Sequence, residues 1–134
     1  MKLDSQRSRA VPDFSIDIEA IAELIAETQL ESGEIPWCKD QKTDPWDHIE
    51  AAIGLSIGGY LEEARRAFQW FARVQLKDGS CYSAYRQGVP EDKTRETNLS
   101  SYIAVGVYHY YLITRDIAVL REMWPCIVAA IDFA

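Results

Sequence analysis

A chain of 134 residues has room for one small domain, and at 48 % hydrophobic content it can bury a core. Twenty-one acids against 14 basic residues give a formal charge of −7, and no run of Lys and Arg lies along a candidate helix face, so nucleic acid is excluded as an expected partner. No window reaches the roughly 18 uninterrupted apolar residues of a membrane span, and the N-terminus lacks an apolar signal-peptide core; a cytoplasmic protein with no membrane span is expected.

Residues 1–14 read as a flexible N-terminal segment ahead of a domain over 15–134. From Ser15, a good N-cap, the periodicity predicts an amphipathic helix with Ile18, Ile21, Leu24, Ile25 and Thr28 on one face and Asp17, Glu19, Glu23 and Glu27 away from it. A second helix starts at Pro45; after its first turns it offers hardly any polar face between Ala51 and Ile57, and Gly58-Gly59 stops it. The third, from Leu61, is amphipathic again, with Leu61, Ala64, Phe68, Phe71 and Val74 opposed to Glu62, Glu63, Arg65, Arg66 and Arg73. The fourth, from Glu96, is apolar or aromatic on all sides through its middle, and a fifth starts at Asp116 with a break or restart expected at Pro125. No segment reads as a strand. Cys38, Cys81 and Cys126 are odd in number and show no Cys-x-x-Cys spacing, so free thiols are expected.

A helix apolar all round must be covered on every side, so the alternation predicts an outer amphipathic layer and an inner apolar one. The outer-to-inner loops are long, about 15 residues from Leu30 to Asp44 and about 20 from Leu76 to Glu96, and long loops in compact domains tend to carry function. "QLESG" at Gln29 recurs as "QLKDG" at Gln75, and "DHIEAAI" from Asp47 aligns with "TNLSSYI" from Thr97, so a helical hairpin is the repeating unit. Gly33 and Gly79 supply the positive φ after each helix end, and Gln29 and Gln75 can bond free backbone groups there.

Gln75-Leu-Lys-Asp78-Gly79-Ser80 resembles the Gln-x-x-Asp-Gly-x-Trp repeat of terpene cyclases and prenyltransferase-like α/α toroids, with Cys81 where that repeat has Trp. In the first copy Ser32 replaces Asp and the Trp comes two residues late, as Trp37. The longer pattern over residues 17 to 134 resembles bacterial proteins labelled prenyltransferase-like, whose toroids are in turn similar to six-hairpin glycosidases of the glucoamylase type. The resemblance implies an all-α fold, an α/α toroid fragment of about two and a half helical hairpins. A complete toroid has six, so the chain is expected to be the N-terminal portion of a larger protein, and its uncovered apolar helices imply self-association.

In such a toroid the inner helices start at one rim, which would bring Asp44 to Glu50 and Glu96 to Asn98 together. Asp44 followed by Pro45 reads as N-cap and N1, with Asp47 at N3, where the helix dipole is expected to lower its pKa. Glu50 lies a turn deeper among Ile49, Ala51 and Ala52; burial would raise its pKa as a general acid requires, unless it is a structural ion pair with Arg86 or Arg95. Glu50 and Asp47 are the candidate catalytic carboxylates, and His48 reads as a packing or surface histidine. Trp37, Trp46, Tyr85, Arg86, Glu96, Asn98 and Tyr102 are candidate substrate-binding residues, the aromatics through stacking against a sugar or isoprenoid, with capping as the alternative for Glu96 and Asn98 and plain packing for the aromatics.

Carboxylate acid/base chemistry on a carbohydrate-like small molecule is the leading function. An isoprenoid transferase or cyclase is the first alternative, although Asp44-x-x-Asp47-x-x-Glu50 matches neither the Asp-Asp-x-x-Asp nor the Asp-x-Asp-Asp motif of those enzymes. A noncatalytic binding module is the second. No metal set and no cofactor are expected, and this chain alone is not expected to be active.

Overall fold

The computed structural model describes residues 15–134; the segment expected to be flexible, 1–14, lies outside them. Helix α1 (Ile18–Thr28) begins after Asp17, whose Oδ1 accepts from the Ala20 amide at 3.0 Å, so the cap is Asp17 and not Ser15. Helix α2 (Pro45–Ile57) is capped by Asp44, with Pro45 at its start, and stops at Gly58 as the sequence predicts. Helix α3 (Leu61–Val74) buries Ala64, Ala67, Phe68, Trp70 and Phe71.

Two strands follow that the periodicity does not show, β1 (Ala84–Arg86) and β2 (Val89–Asp92), paired antiparallel. They are too short for an alternation to register. Their turn is Gln87-Gly88, with φ of 50° and 76°, the left-handed pair that two-residue hairpins use. The expected fourth helix is divided at Tyr102 into α4 (Thr97–Ser101) and α5 (Ile103–Thr114). Helix α6 (Ile117–Phe133) runs through Pro125 without the expected break. Pro125 and Arg121, the residue whose carbonyl it cannot serve, both lie on the exposed side of α6, where water can satisfy the orphaned carbonyl.

The fold is all-α, with α2 and α4–α5 in one layer and α1, α3 and α6 outside them; α2 packs on α1, α3 and α5, and α6 packs on α3, α4 and α5. Ile49, Leu55, Phe68, Phe71, Ile103 and Val107 meet between the layers. Gly106 sits where α2 and α5 approach: a Cβ there would lie 2.5 Å from Ile49 Cγ2. Among the described residues part of α5 stays uncovered, and Tyr108, Leu112 and Ile113 are exposed.

The repeat is visible bond for bond. Gln29 Nε2 donates to the Gly33 and Glu63 carbonyls at 3.1 and 2.9 Å, and Gln75 Nε2 donates to those of Gly79 and Cys126 at 3.0 and 2.9 Å. Each glutamine closes its own loop and ties it to the next outer helix. Farther on, Ile35 N–H donates to His48 Nδ1 and Cys81 N–H to Ser100 Oγ, both at 3.1 Å. His48 and Ser100 are therefore equivalent, each four residues after its cap, Asp44 or Glu96. This register differs by two residues from the sequence alignment of Asp47 with Thr97, because the second loop contains the β hairpin. Glu50 consequently corresponds to Tyr102.

Candidate functional site

The two long loops meet. Thr43 and Tyr85 exchange both backbone hydrogen bonds at 2.8 Å, and Arg86 Nη1 donates to the Asp40 carbonyl at 2.5 Å. Thr43 is anchored from beneath by its hydroxyl, which donates to Glu34 Oε1 at 2.8 Å; Glu34 is fully buried, and its Oε2 has no partner among the described residues. This crossing fixes the start of α2, and two side-chain groups stand there.

In the first group Asp44 does two things. Its Oδ1 accepts from the Asp47 amide at 2.9 Å, and its Oδ2 accepts from Trp37 Nε1 at 2.7 Å. The bond pins an indole that is otherwise 55 % exposed, and the Lys42 ammonium stands 4.3 Å from its ring centroid. Beside Trp37 and Asp47 opens a cavity of about 400 Å³ between α1, the first loop and α2. The Asp47 carboxyl is raised above the usual carboxylate range, first by partial desolvation at this cavity and then by the Asp44 charge beside it. The expectation that the helix start would lower it is thus reversed: the capping carboxylate that helps to start the helix also repels a second negative charge.

In the second group Tyr102 Oη donates to Glu50 Oε1, and the Tyr102 ring stacks on Trp46 with centroids 3.8 Å apart and planes 10° apart. The bond to the carboxylate raises the phenol's pKa, so Tyr102 keeps its proton and Glu50 accepts. Glu50 is exposed, against the expectation of burial, because it lies on the side of α2 that neither α1 nor α3 covers; its partner is Tyr102 and neither Arg86 nor Arg95. Arg95 pairs with Asp78 instead, at 2.6 Å.

The remaining candidates are placed apart from these groups. Tyr85 is 1 % exposed; its hydroxyl accepts from the Tyr82 amide at 2.9 Å, and Trp70 packs edge-on at 5.4 Å, so it is a core residue and not part of a cleft. Arg86 is taken up by Glu91 at 3.0 Å. Glu96 occupies the α4 cap position without a side-chain capping bond, and Asn98 is exposed in the first turn of α4. His48, fully buried, accepts from Ile35 N–H through Nδ1 and donates from Nε2 to the Ala67 carbonyl at 2.9 Å. The sequence reading missed Lys42 over Trp37, the Glu34–Thr43 support and the cavity wall, although Leu24, Ile25 and Thr28 had been placed on one face of α1. Among the described residues no three His, Cys, Asp or Glu side chains group closely enough to hold a metal ion, and no helix is long and apolar enough to cross a membrane.

Fold and site together define an all-α protein of paired outer and inner helices, with carboxylates and aromatic rings gathered where the inner helices begin. No family model matches the chain. It is similar to a protein named MMP endo-(1,4)-3-O-methyl-alpha-D-mannosidase from Mycolicibacterium hassiacum, 46 % identical over 112 residues, which are 84 % of this chain and 31 % of the relative. The chain thus spans about a third of the relative it matches, which is by its name a glycosidase.

Proposed function

We propose that this chain forms the first hairpins of a glycosidase-type α/α toroid that binds and hydrolyses a mannoside-like carbohydrate, with Glu50 and Asp47 on the water-activating side of the scissile bond. The observation that carries the reading is the Glu50 carboxylate held by the Tyr102 hydroxyl beside the stacked Trp46–Tyr102 pair. A carboxylate that accepts from a protonated phenol is prepared to orient and deprotonate a water, and flat aromatic faces suit the C–H faces of sugar rings. Glu50 and Asp47 are one turn apart on one helix, so they cannot flank a glycosidic bond from opposite sides. The opposing acid of an inverting mechanism, about 6.5–9.5 Å across, belongs to another helix. Three carboxylates, Asp44, Asp47 and Glu50, at one helix start also favour a neutral sugar over an anionic prenyl diphosphate.

The test is a chimera in which this chain replaces the matched 112-residue segment of the mannosidase. Hydrolysis of a 3-O-methyl-mannoside oligomer should persist, and Glu50→Gln in the chimera should lower kcat at least about a hundredfold. Full activity in the Glu50→Gln chimera removes Glu50 from the mechanism.

A further inference from the structure

Asp44 does more than a helix cap requires. Its repeat equivalent, Glu96, stands before α4 without a side-chain capping bond, so a helix starts at this point of the repeat without one. Asp44 instead turns both oxygens to neighbours, Oδ1 to the Asp47 amide at 2.9 Å and Oδ2 to Trp37 Nε1 at 2.7 Å. One bond goes to α2 and the other to the first loop. In the second repeat the counterpart of Trp37, in the register of Gln29 and Gln75, is Ser83. Its hydroxyl is given to the Thr94 carbonyl at 2.9 Å and lies 3.5 Å from Glu96 Oε1, the outer limit of a hydrogen bond. The first repeat thus has an aromatic ring and a short bond where the second has neither.

What Asp44 holds is the edge of the cavity, since Trp37 and Asp47 both line it. Two other polar side chains share that lining, the Cys38 thiol and the Thr28 hydroxyl, and the hydroxyl is already bonded to the Leu24 carbonyl at 2.8 Å. The charged groups around Asp47 are Asp44 and Glu50 at the start of α2 and Lys42 over the Trp37 ring; α1 brings no charged side chain to the lining. Desolvation at the cavity raises the Asp47 pKa most. The Asp44 charge and a hydrogen bond between the two carboxyls add to the rise, the Trp37 N–H opposes it, and Glu50 adds a smaller increment.

We infer that Asp44 is a positioning residue: it fixes the Trp37 indole and the Asp47 carboxyl relative to each other at the cavity, as one unit that joins the first loop to α2. The inference rests on the carbohydrate reading above for what the unit serves, and adds to it the residue that sets the unit's geometry. Asp44 acts through Trp37 and Asp47 and not on a substrate itself. Without its carboxylate, α2 still has a start of the kind that α4 has, but the indole loses its anchor and Asp47 loses the neighbour with which it shares a proton.

The experiment follows the chain by NMR, reading the Asp47 side-chain carboxyl through its pH titration and the Trp37 indole N–H through its exchange with water. Asp44→Asn keeps an acceptor for the Asp47 amide, removes the charge and turns a donor towards the indole. It should bring the Asp47 titration down towards the ordinary carboxylate range and speed indole exchange at least about tenfold. Trp37→Phe keeps a ring at the cavity but removes the N–H, and should move the Asp47 titration up. Opposite directions separate the inference from a general loosening of the loop, which would expose Asp47 and lower its titration in both variants. Asp44→Ser, a cap too short to reach the indole, keeps the test readable should Asp44→Asn not fold. In the mannosidase chimera, Asp44→Asn should also move the acid limb of kcat/KM to lower pH, a change that a cap serving only α2 would not produce. An Asp44→Asn chain whose Asp47 titration and indole exchange match the wild type overturns the inference, and so does a downward shift in Trp37→Phe. A chimera without any hydrolysis overturns the carbohydrate reading alone, because titration and exchange are read on the chain itself and still decide the role of Asp44.

Discussion

Both imidazole nitrogens of His48 are committed to backbone groups of different elements, the Ile35 amide of the first loop and the Ala67 carbonyl of α3. Only a neutral ring can accept through Nδ1 while donating through Nε2, and burial pushes its pKa down from 6.5 to about 4. The folded state therefore binds fewer protons than the unfolded chain between these values. His48's contribution is fully present above pH 6.5 and is lost as pH falls toward about 4. Denaturant unfolding should show a loss of about 2 kcal/mol between pH 7 and pH 5, and His48→Gln should flatten that dependence. Asp47, raised in the fold, acts in the opposite direction: what it contributes is present at low pH and is lost as pH rises through its folded pKa. Its exposure keeps that effect small. The cysteines give an independent check on burial. Cys81 and Cys126 are buried, their thiols pushed up to about 11 and about 12 by desolvation, whereas Cys38 is exposed. Native protein should react with a thiol reagent quickly at Cys38 alone, and at the other two only after unfolding.

Between elements, the glutamine staples and their glycines hold one hairpin to the next. Gly79 has φ of 89°, and a Cβ on it would stand 1.9 Å from the Ala129 carbonyl oxygen of α6. Gly88 has φ of 76° and nothing within 4 Å of that position. Gly79→Ala should therefore cost several kcal/mol, roughly the backbone strain of about 1–3 kcal/mol plus displacement of α6, while Gly88→Ala should cost only the strain, as thermal unfolding of the two variants can show. Gln75→Ala removes both donors at one point and should cost about 1–3 kcal/mol. These staples were legible because the Gln, the Gly and the spacing between them all recur in the sequence. The outer and inner layering was legible for the same kind of reason, since helical periodicity of side-chain type is a local property. Contacts between the inner helices were not. Glu50 meets Tyr102 only because α4 enters in a register set by the β hairpin in the second loop, and no periodicity of α2 contains that length. The Trp37–Asp44 bond and the reversal at Asp47 were hidden similarly: each depends on how a loop returns over a helix start, not on the helix itself.

Across the whole molecule, what the fold leaves uncovered is as ordered as what it buries. In the hairpin repeat, each inner helix covers its predecessor: α5 lies on α2, and Gly106 admits Ile49. Among the described residues α5 and α6 also carry exposed apolar side chains, Tyr108, Leu112 and Ile113 on α5 and Trp124, Val128 and Ile131 on α6, Tyr108 at 58 %. Large apolar side chains left exposed on neighbouring helices gain free energy from whatever removes them from water. Against that works the formal charge of −7, which keeps copies apart at low ionic strength and is screened by salt. Association of the isolated chain should therefore rise with added salt. Sedimentation velocity should show larger species at high salt, together with binding of an apolar dye. A Tyr108→Glu, Leu112→Glu double variant should lower both while its His48-linked pH dependence stays unchanged, because both side chains are exposed on α5 and His48 is held by Ile35 and Ala67. A chain that stays monomeric and dye-silent at high salt contradicts that gain, and a double variant that loses the pH dependence as well has been unfolded and not merely made polar.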